Sequence, residues 1–116
     1  NSLTQFMLPT LFERGAEVVR AMRTQIQSNL RAALDALCAI EPVRVAEPMG
    51  GTYLFPKVMG CEDEDALLER MLDAGLYAHP GYFYNHADGC HLMLSGVIEQ
   101  PRLLEGIARL GRVLQK

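Results

Sequence analysis

Three histidines, His79, His86 and His91, stand seven and five residues apart around the segment Pro80-Gly81-Tyr82-Phe83. An imidazole donates to an anion when protonated and titrates near neutrality, so each is a candidate anion-binding group. Their spacing across a loop matches no familiar metal site, and only Asp88 supplies a carboxylate between them. Pro80 sets one backbone angle and Gly81 frees the next, so a sharp turn can bring Tyr82 and Phe83 to a chosen surface. Cys38, Cys61 and Cys90 are odd in number, lack C-x-x-C spacing and show no evident activating base. They are expected to be reduced structural thiols rather than a disulfide framework, a zinc knuckle or a nucleophile. The acidic run Glu62–Asp65 has the wrong spacing for a calcium loop; negative charge at the positive end of a helix explains it.

These groups need a scaffold, and 116 residues with 49% hydrophobic content suffice for a single core. The formal net charge is -3, the pI is near 5.6, and the 11 basic residues are scattered, which argues against nucleic-acid binding. No apolar run approaches the roughly 20 residues needed to span a bilayer, and no signal pattern opens the chain. A cytoplasmic protein that binds neither membrane nor nucleic acid is expected. The sequence opens on Asn1, directly into amphipathic residues, as a piece of a longer protein would.

Ser2 and Gln5 have the spacing of a capping box for an apolar helical segment, Phe6 to Phe12, in which Pro9 predicts a kink or a fresh start. Gly15 breaks the pattern. Val18, Met22, Ile26, Leu30, Leu34 and Leu37 then line one face of a helix from about Ala16 to Cys38, on which Arg31 and Asp35 form an i,i+4 pair. Short strands are expected at Val43–Val45, Thr52–Phe55, Leu76–His79 and Cys90–Ser95, with Lys57 at an exposed strand end. A short helix carries Leu67, Leu68, Met71 and Leu72 and stops at Gly75; a last helix opens at Gln100-Pro101. The fold class is α+β: a small antiparallel sheet packed against helices, with one long N-terminal helix. Residues 1–116 form one domain, and residues 1–14 an interdomain helical segment.

Several of these pieces together resemble one protein family. Pro48-Met49-Gly50-Gly51 before Thr52-Tyr53-Leu54-Phe55, then Gly75 to Phe83 with its helix-Gly-strand-Pro-Gly-x-Phe order, then His91-Leu92-Met93-Leu94-Ser95, resemble the C-terminal small domain of fold-type I pyridoxal-phosphate aminotransferases. The matches extend over essentially the whole chain. The family strand reads apolar-Arg-apolar-Ser, and Met93 stands where that Arg is expected. A guanidinium there holds the substrate α-carboxylate with two donors, which a thioether does not offer. The resemblance implies substrate-binding roles for Phe83 and the Met93 position, and more loosely for Tyr82, with His79, His86 or His91 as substitutes for the missing cation. Arg102 and Arg109 are expected to face solvent. The family's chemistry requires a lysine whose amine forms a Schiff base with the cofactor aldehyde. Neither Lys57 nor Lys116 fits, so pyridoxal 5'-phosphate would be bound by the intact protein and not by this chain alone. The resemblance thus implies a substrate-closing domain without catalytic residues of its own. It implies a large cofactor-binding domain as partner, an amino-acid-like substrate and a homodimer. The alternative is a free-standing α+β ligand-binding or regulatory module.

Overall fold

The computed structural model describes residues 1–115; Lys116, one of the two lysines, lies outside the described residues. The carboxamide of Asn1 accepts hydrogen bonds from the N–H groups of Leu3 and Thr4, and so caps helix α1 (Ser2–Cys38). Asn1 therefore does what the Ser2/Gln5 capping box was expected to do. The helix is a single element through both Pro9 and Gly15, instead of beginning near Ala16. Pro9 removes one donor, but its fixed φ is helical, and bonded turns on both sides carry the chain across the gap. Only the C-terminal part of α1 is packed: Leu30, Ala33 and Leu37 are in the core, whereas Val18 and Met22, on the expected apolar face, are exposed with Leu3, Phe6 and Phe12.

Beyond α1 come β1 (Val43–Arg44), β2 (Tyr53–Leu54), β3 (Lys57–Val58), α2 (Glu64–Asp73), β4 (His79–Pro80), a 3-10 turn (Gly81–Tyr84), β5 (Leu92–Ser95) and α3 (Gln100–Leu114). The class is α+β, as the sequence predicts, but the strands form two antiparallel sheets rather than one. β1 pairs with β3, and β5 lies between β2 and β4. A bridge from Lys57 to His91, with the Val58 N–H donating to the Cys90 carbonyl and the Leu92 N–H to the Pro56 carbonyl, joins them. The strands are shorter than the apolar runs, and Leu76, Tyr77 and Ala78 lie outside the ladder. β3 was not foreseen: Pro56 interrupts the run before it, and its partner β1 is remote in sequence. Lys57, expected on an exposed strand end, is half-buried within it.

α2 and α3 close the core from the sequence's own signals. The Asp63 side chain accepts from the Ala66 N–H, so one carboxylate of the acidic run caps α2. Gly75, at φ +67°, ends that helix in a Schellman arrangement: the Leu76 N–H donates to the Met71 carbonyl and the Gly75 N–H to the Leu72 carbonyl. α3 carries Pro101 in its first turn and buries Leu103, Ile107, Leu110 and Val113. Leu37, Leu67 and Leu92 retain no exposed surface, each worth about 1.5–3 kcal/mol of transfer free energy. Arg31 pairs with Glu47 at 3.0 Å rather than with Asp35, a surface contact of small energy.

Cys61 and Cys90 form a disulfide with Cα atoms 5.7 Å apart, which corrects the expectation of reduced thiols; Cys38 is free and exposed. Parity and spacing do not report that Cys61, in the approach to α2, and Cys90, just before His91 and β5, meet in space.

Asn29 is a second contact without a sequence signature. Only 2% exposed, its amide donates to the carbonyls of Gly96 at 2.9 Å and Ile98 at 2.7 Å, tying α1 to the β5–α3 connection. Replacing Asn29 by Ala leaves those carbonyls without that donor, and a loss of about 2 kcal/mol is expected. It should read as a lower urea midpoint with an unchanged m-value.

Candidate functional site

In an antiparallel ladder directly opposed residues share a face, and alternate residues point to opposite faces. Leu54 opposes Leu94 and Pro80 opposes Leu92, with Leu54, Pro80 and Leu92 buried on the core side. The other face therefore carries Tyr53 opposite Ser95 and His79 opposite Met93. Because β4 pairs for only two residues, Gly75–Ala78 diverges from the end of β5. A groove of about 710 Å³ runs between this segment and α3: Tyr53, Tyr77, His79, Met93 and Ser95 line it from the outer face, Arg102, Glu105 and Arg109 lie along it, and the aliphatic side chains of Leu94, Leu103 and Ile107 line its core side. Arg102 is exposed, as expected, and Arg109 is half-buried; both border this groove. Arg109 is held by Glu105, whose carboxyl it keeps below the ordinary 4.5.

The Pro80-Gly81 turn is positioned by one carboxylate. Glu64 Oε1 accepts from the N–H groups of Gly81 at 2.9 Å and His91 at 2.7 Å, and Oε2 accepts from the Tyr82 N–H at 3.4 Å. A carboxylate offers about four lone-pair sites, enough to serve all three donors. Gly81 is required by space, not by φ: a Cβ there would lie 2.9 Å from His91 Cβ and 3.2 Å from Glu64 Oε1. The 3-10 turn that follows presents Phe83, 58% exposed, with its ring 5.7 Å from that of His79. Tyr82 turns the other way. Its hydroxyl donates to Asp65 at 3.0 Å, and that bond, with the carboxylate's charge, keeps the phenol above its ordinary pKa of 10.0.

Of the three histidines, only His79 lines the groove. Its Nδ1 is 2.8 Å from the Tyr84 hydroxyl, and the Tyr77 and Tyr84 rings lie at 5.6 and 6.2 Å. His91, 8% exposed, stacks on Phe55 at 5.0 Å and donates from Nδ1 to the Gly89 carbonyl. His86 packs edge-on against His91 at 4.2 Å, with its buried Nε2 unpartnered among the described residues. These two are packing groups, so the structure brings His79 to Met93, sets Phe83 against His79 just outside the groove lining, and leaves His86 and His91 outside the groove. Tyr77, Tyr84 and Glu64 were not singled out from the sequence. The acidic run was visible, but which carboxylate reaches the turn depends on how α2 docks.

Lys57 is the only lysine among the described residues. Its ammonium lies 2.9 Å from Asp88 and holds that carboxyl below its ordinary 3.8. The amine is engaged in an ion pair and is not among the residues lining the groove, so Lys57 does not fit the role of a Schiff-base lysine there.

Solved structures similar to this chain are aminotransferases. The α-aminoadipate aminotransferase of Thermus thermophilus, solved with N-(5'-phosphopyridoxyl)-L-leucine, superposes with a TM-score of 0.76 at 27% identity, over 97% of this chain and 30% of its own. The kynurenine aminotransferase of Pyrococcus horikoshii gives 0.74 at 26% identity, over 86% and 26%. The aromatic aminotransferase Aro9 of C. albicans gives 0.78 at 16% identity over 97% and 30%, which shows a shared fold. No protein-family model and no curated protein sequence matches. The chain spans about 30% of the length of the aminotransferase it matches over 97% of its own. These likenesses support reading it as part of an aminotransferase-like protein.

Two measurements probe the site. Glu64→Gln replaces one acceptor oxygen by a donor; faster amide exchange at Gly81, Tyr82 and His91 and a loss of about 1–2 kcal/mol are expected. Asp88 has a depressed folded pKa, so its contribution is present above 3.8 and disappears as pH falls through the folded value. Lys57→Met should return the Asp88 carboxyl to near 3.8 in a carbon-detected NMR titration and flatten the acid limb of stability.

Proposed function

We propose that this chain is the C-terminal, substrate-closing domain of a pyridoxal-phosphate-dependent aminotransferase-like enzyme. The observation that carries the reading is the β4–β5 pairing. It sets Met93 beside His79, next to a Pro-Gly turn bearing Phe83, within a fold shared with solved aminotransferases. In the intact protein the cofactor and its lysine belong to a large domain, and the cofactor supplies the amino-transfer chemistry. This chain's residues exclude water and orient the substrate. Phe83 and Met93 contact the substrate. Tyr82, whose hydroxyl is committed to Asp65, holds the turn's other side. The exposed apolar side chains of residues 1–14 are the contact towards the large domain. The enzyme works as a cytoplasmic homodimer on an amino-acid-like substrate.

Met93 makes the reading specific. With no guanidinium at that strand position, the α-carboxylate loses a two-pronged donor, and binding must rest on other groups. The intact protein should show the yellow absorbance of lysine-bound pyridoxal phosphate, and this chain alone should not; its absence from the intact protein defeats the proposal. Met93→Arg in the intact protein is expected to lower KM for α-amino acids about tenfold, the scale of a new charged hydrogen bond, as measured by steady-state kinetics.

A further inference from the structure

The groove beside Met93 carries an unclaimed hydrogen-bonding group. His79 Nδ1 is engaged by the Tyr84 hydroxyl at 2.8 Å, while Nε2 meets no partner among the described residues. An anion arriving at Nε2 favours the ring state that carries a hydrogen there. With the hydrogen on Nε2 and Nδ1 bare, the Tyr84 hydroxyl is the donor in the 2.8 Å contact, as a second partner orients any working imidazole. The groove's charges agree with an anion. Glu105 is the only carboxylate residue lining it and is taken by Arg109, whereas Arg102 has no ion pair among the described residues.

The surroundings of that donor are aromatic. Tyr53 and Tyr77 line the groove at 52% and 65% exposure, and Phe83 packs against His79 from the turn. Met93, the cross-strand partner of His79, adds a thioether, which makes favourable contacts with ring edges. The volume of about 710 Å³ is within the range of small-molecule sites. One imidazole hydrogen bond is a weaker hold on a carboxylate than a bidentate guanidinium, so an aromatic ring that fills the tyrosine-lined part supplies the remaining affinity.

We infer that this groove binds a small aromatic carboxylate, an aromatic amino acid or its 2-oxo acid, with His79 Nε2 donating to the carboxylate, the rings of Tyr53 and Tyr77 holding the aromatic group, and Phe83 packing on the His79 ring from outside the lining. The inference rests on the aminotransferase reading for its substrate class, and His79 is the specificity-determining residue. It takes over the carboxylate contact from strand position 93, at the cross-strand position opposite it.

The test uses the intact cofactor-loaded protein and, separately, this chain. In the intact protein, kcat/KM for phenylalanine should exceed that for leucine and for aspartate by about tenfold or more. His79→Phe should raise KM for phenylalanine about tenfold with kcat little changed, and His79→Gln, which keeps a donor, should recover part of that loss. In the unsubstituted chain, 3-phenylpropionate should shift the His79 ring nitrogens in nitrogen-correlated NMR at lower concentration than 3-cyclohexylpropionate. This measurement stands even if a variant fails to fold. An intact protein without the cofactor absorbance removes the aminotransferase reading. A cofactor-loaded enzyme that uses leucine or aspartate as well as phenylalanine, or His79 nitrogens that do not respond to 3-phenylpropionate, overturns the role of His79 and leaves that reading standing.

Discussion

One carboxylate, Glu64, holds three backbone amides that belong to two different stretches of chain, the Gly81-Tyr82 turn and the start of β5 at His91. β4 and β5 share only two residue pairs, too few to fix a turn by ladder bonds alone. The charge on Glu64 makes each of its bonds stronger than a neutral one, and its place in the first turn of α2 transmits the position of that helix to the site. The Cys61–Cys90 disulfide closes the same region from the other side, joining the approach to α2 with the residue before His91. Helix, turn and central strand are therefore a single mechanical unit, and the groove inherits its shape from them.

That unit also explains how the histidines divide. His91 lies under Phe55 with its backbone N–H on Glu64, and His86 packs against it, so neither ring is directed at the groove. His79 is left on the outer face because it opposes Met93 in a ladder whose inner face is filled by Leu54, Pro80 and Leu92. Three histidines within 13 residues are equivalent in sequence; burial and pairing give each a different chemistry.

The remainder of the molecule is asymmetric. Its long dimension is 53 Å against 27 and 26 Å across, because α1 projects beyond the core with Phe6, Phe12, Val18 and Met22 exposed. A helix with an apolar stripe and no covering surface gains little from packing. The stability of this chain is concentrated where Leu30, Ala33 and Leu37 meet α3 and the sheets, with Ile26 packed at the margin of that core and Asn29 bonded to the β5–α3 connection.

Local signals were legible wherever the interaction is local. The C-terminal stop of α2 at Gly75, the start of α3 at Gln100-Pro101 and its apolar face, and the α+β class follow from backbone sterics and periodicity within a few residues. The Pro48 to Ser95 motifs carry the likeness to aminotransferases in the sequence itself. Only the tertiary structure decided that Lys57–Val58 is a strand, that Cys61 meets Cys90, that Glu64 rather than its acidic neighbours accepts from the turn's backbone N–H groups, and that Asn29 bonds Gly96 and Ile98. The side-chain contacts among these join residues 17 to 69 positions apart. Such contacts depend on how elements dock, which short-range spacing does not encode. Pro9 shows the limit from the other direction: its local penalty is real, yet the bonded turns around it outweigh one missing donor, and α1 continues through it.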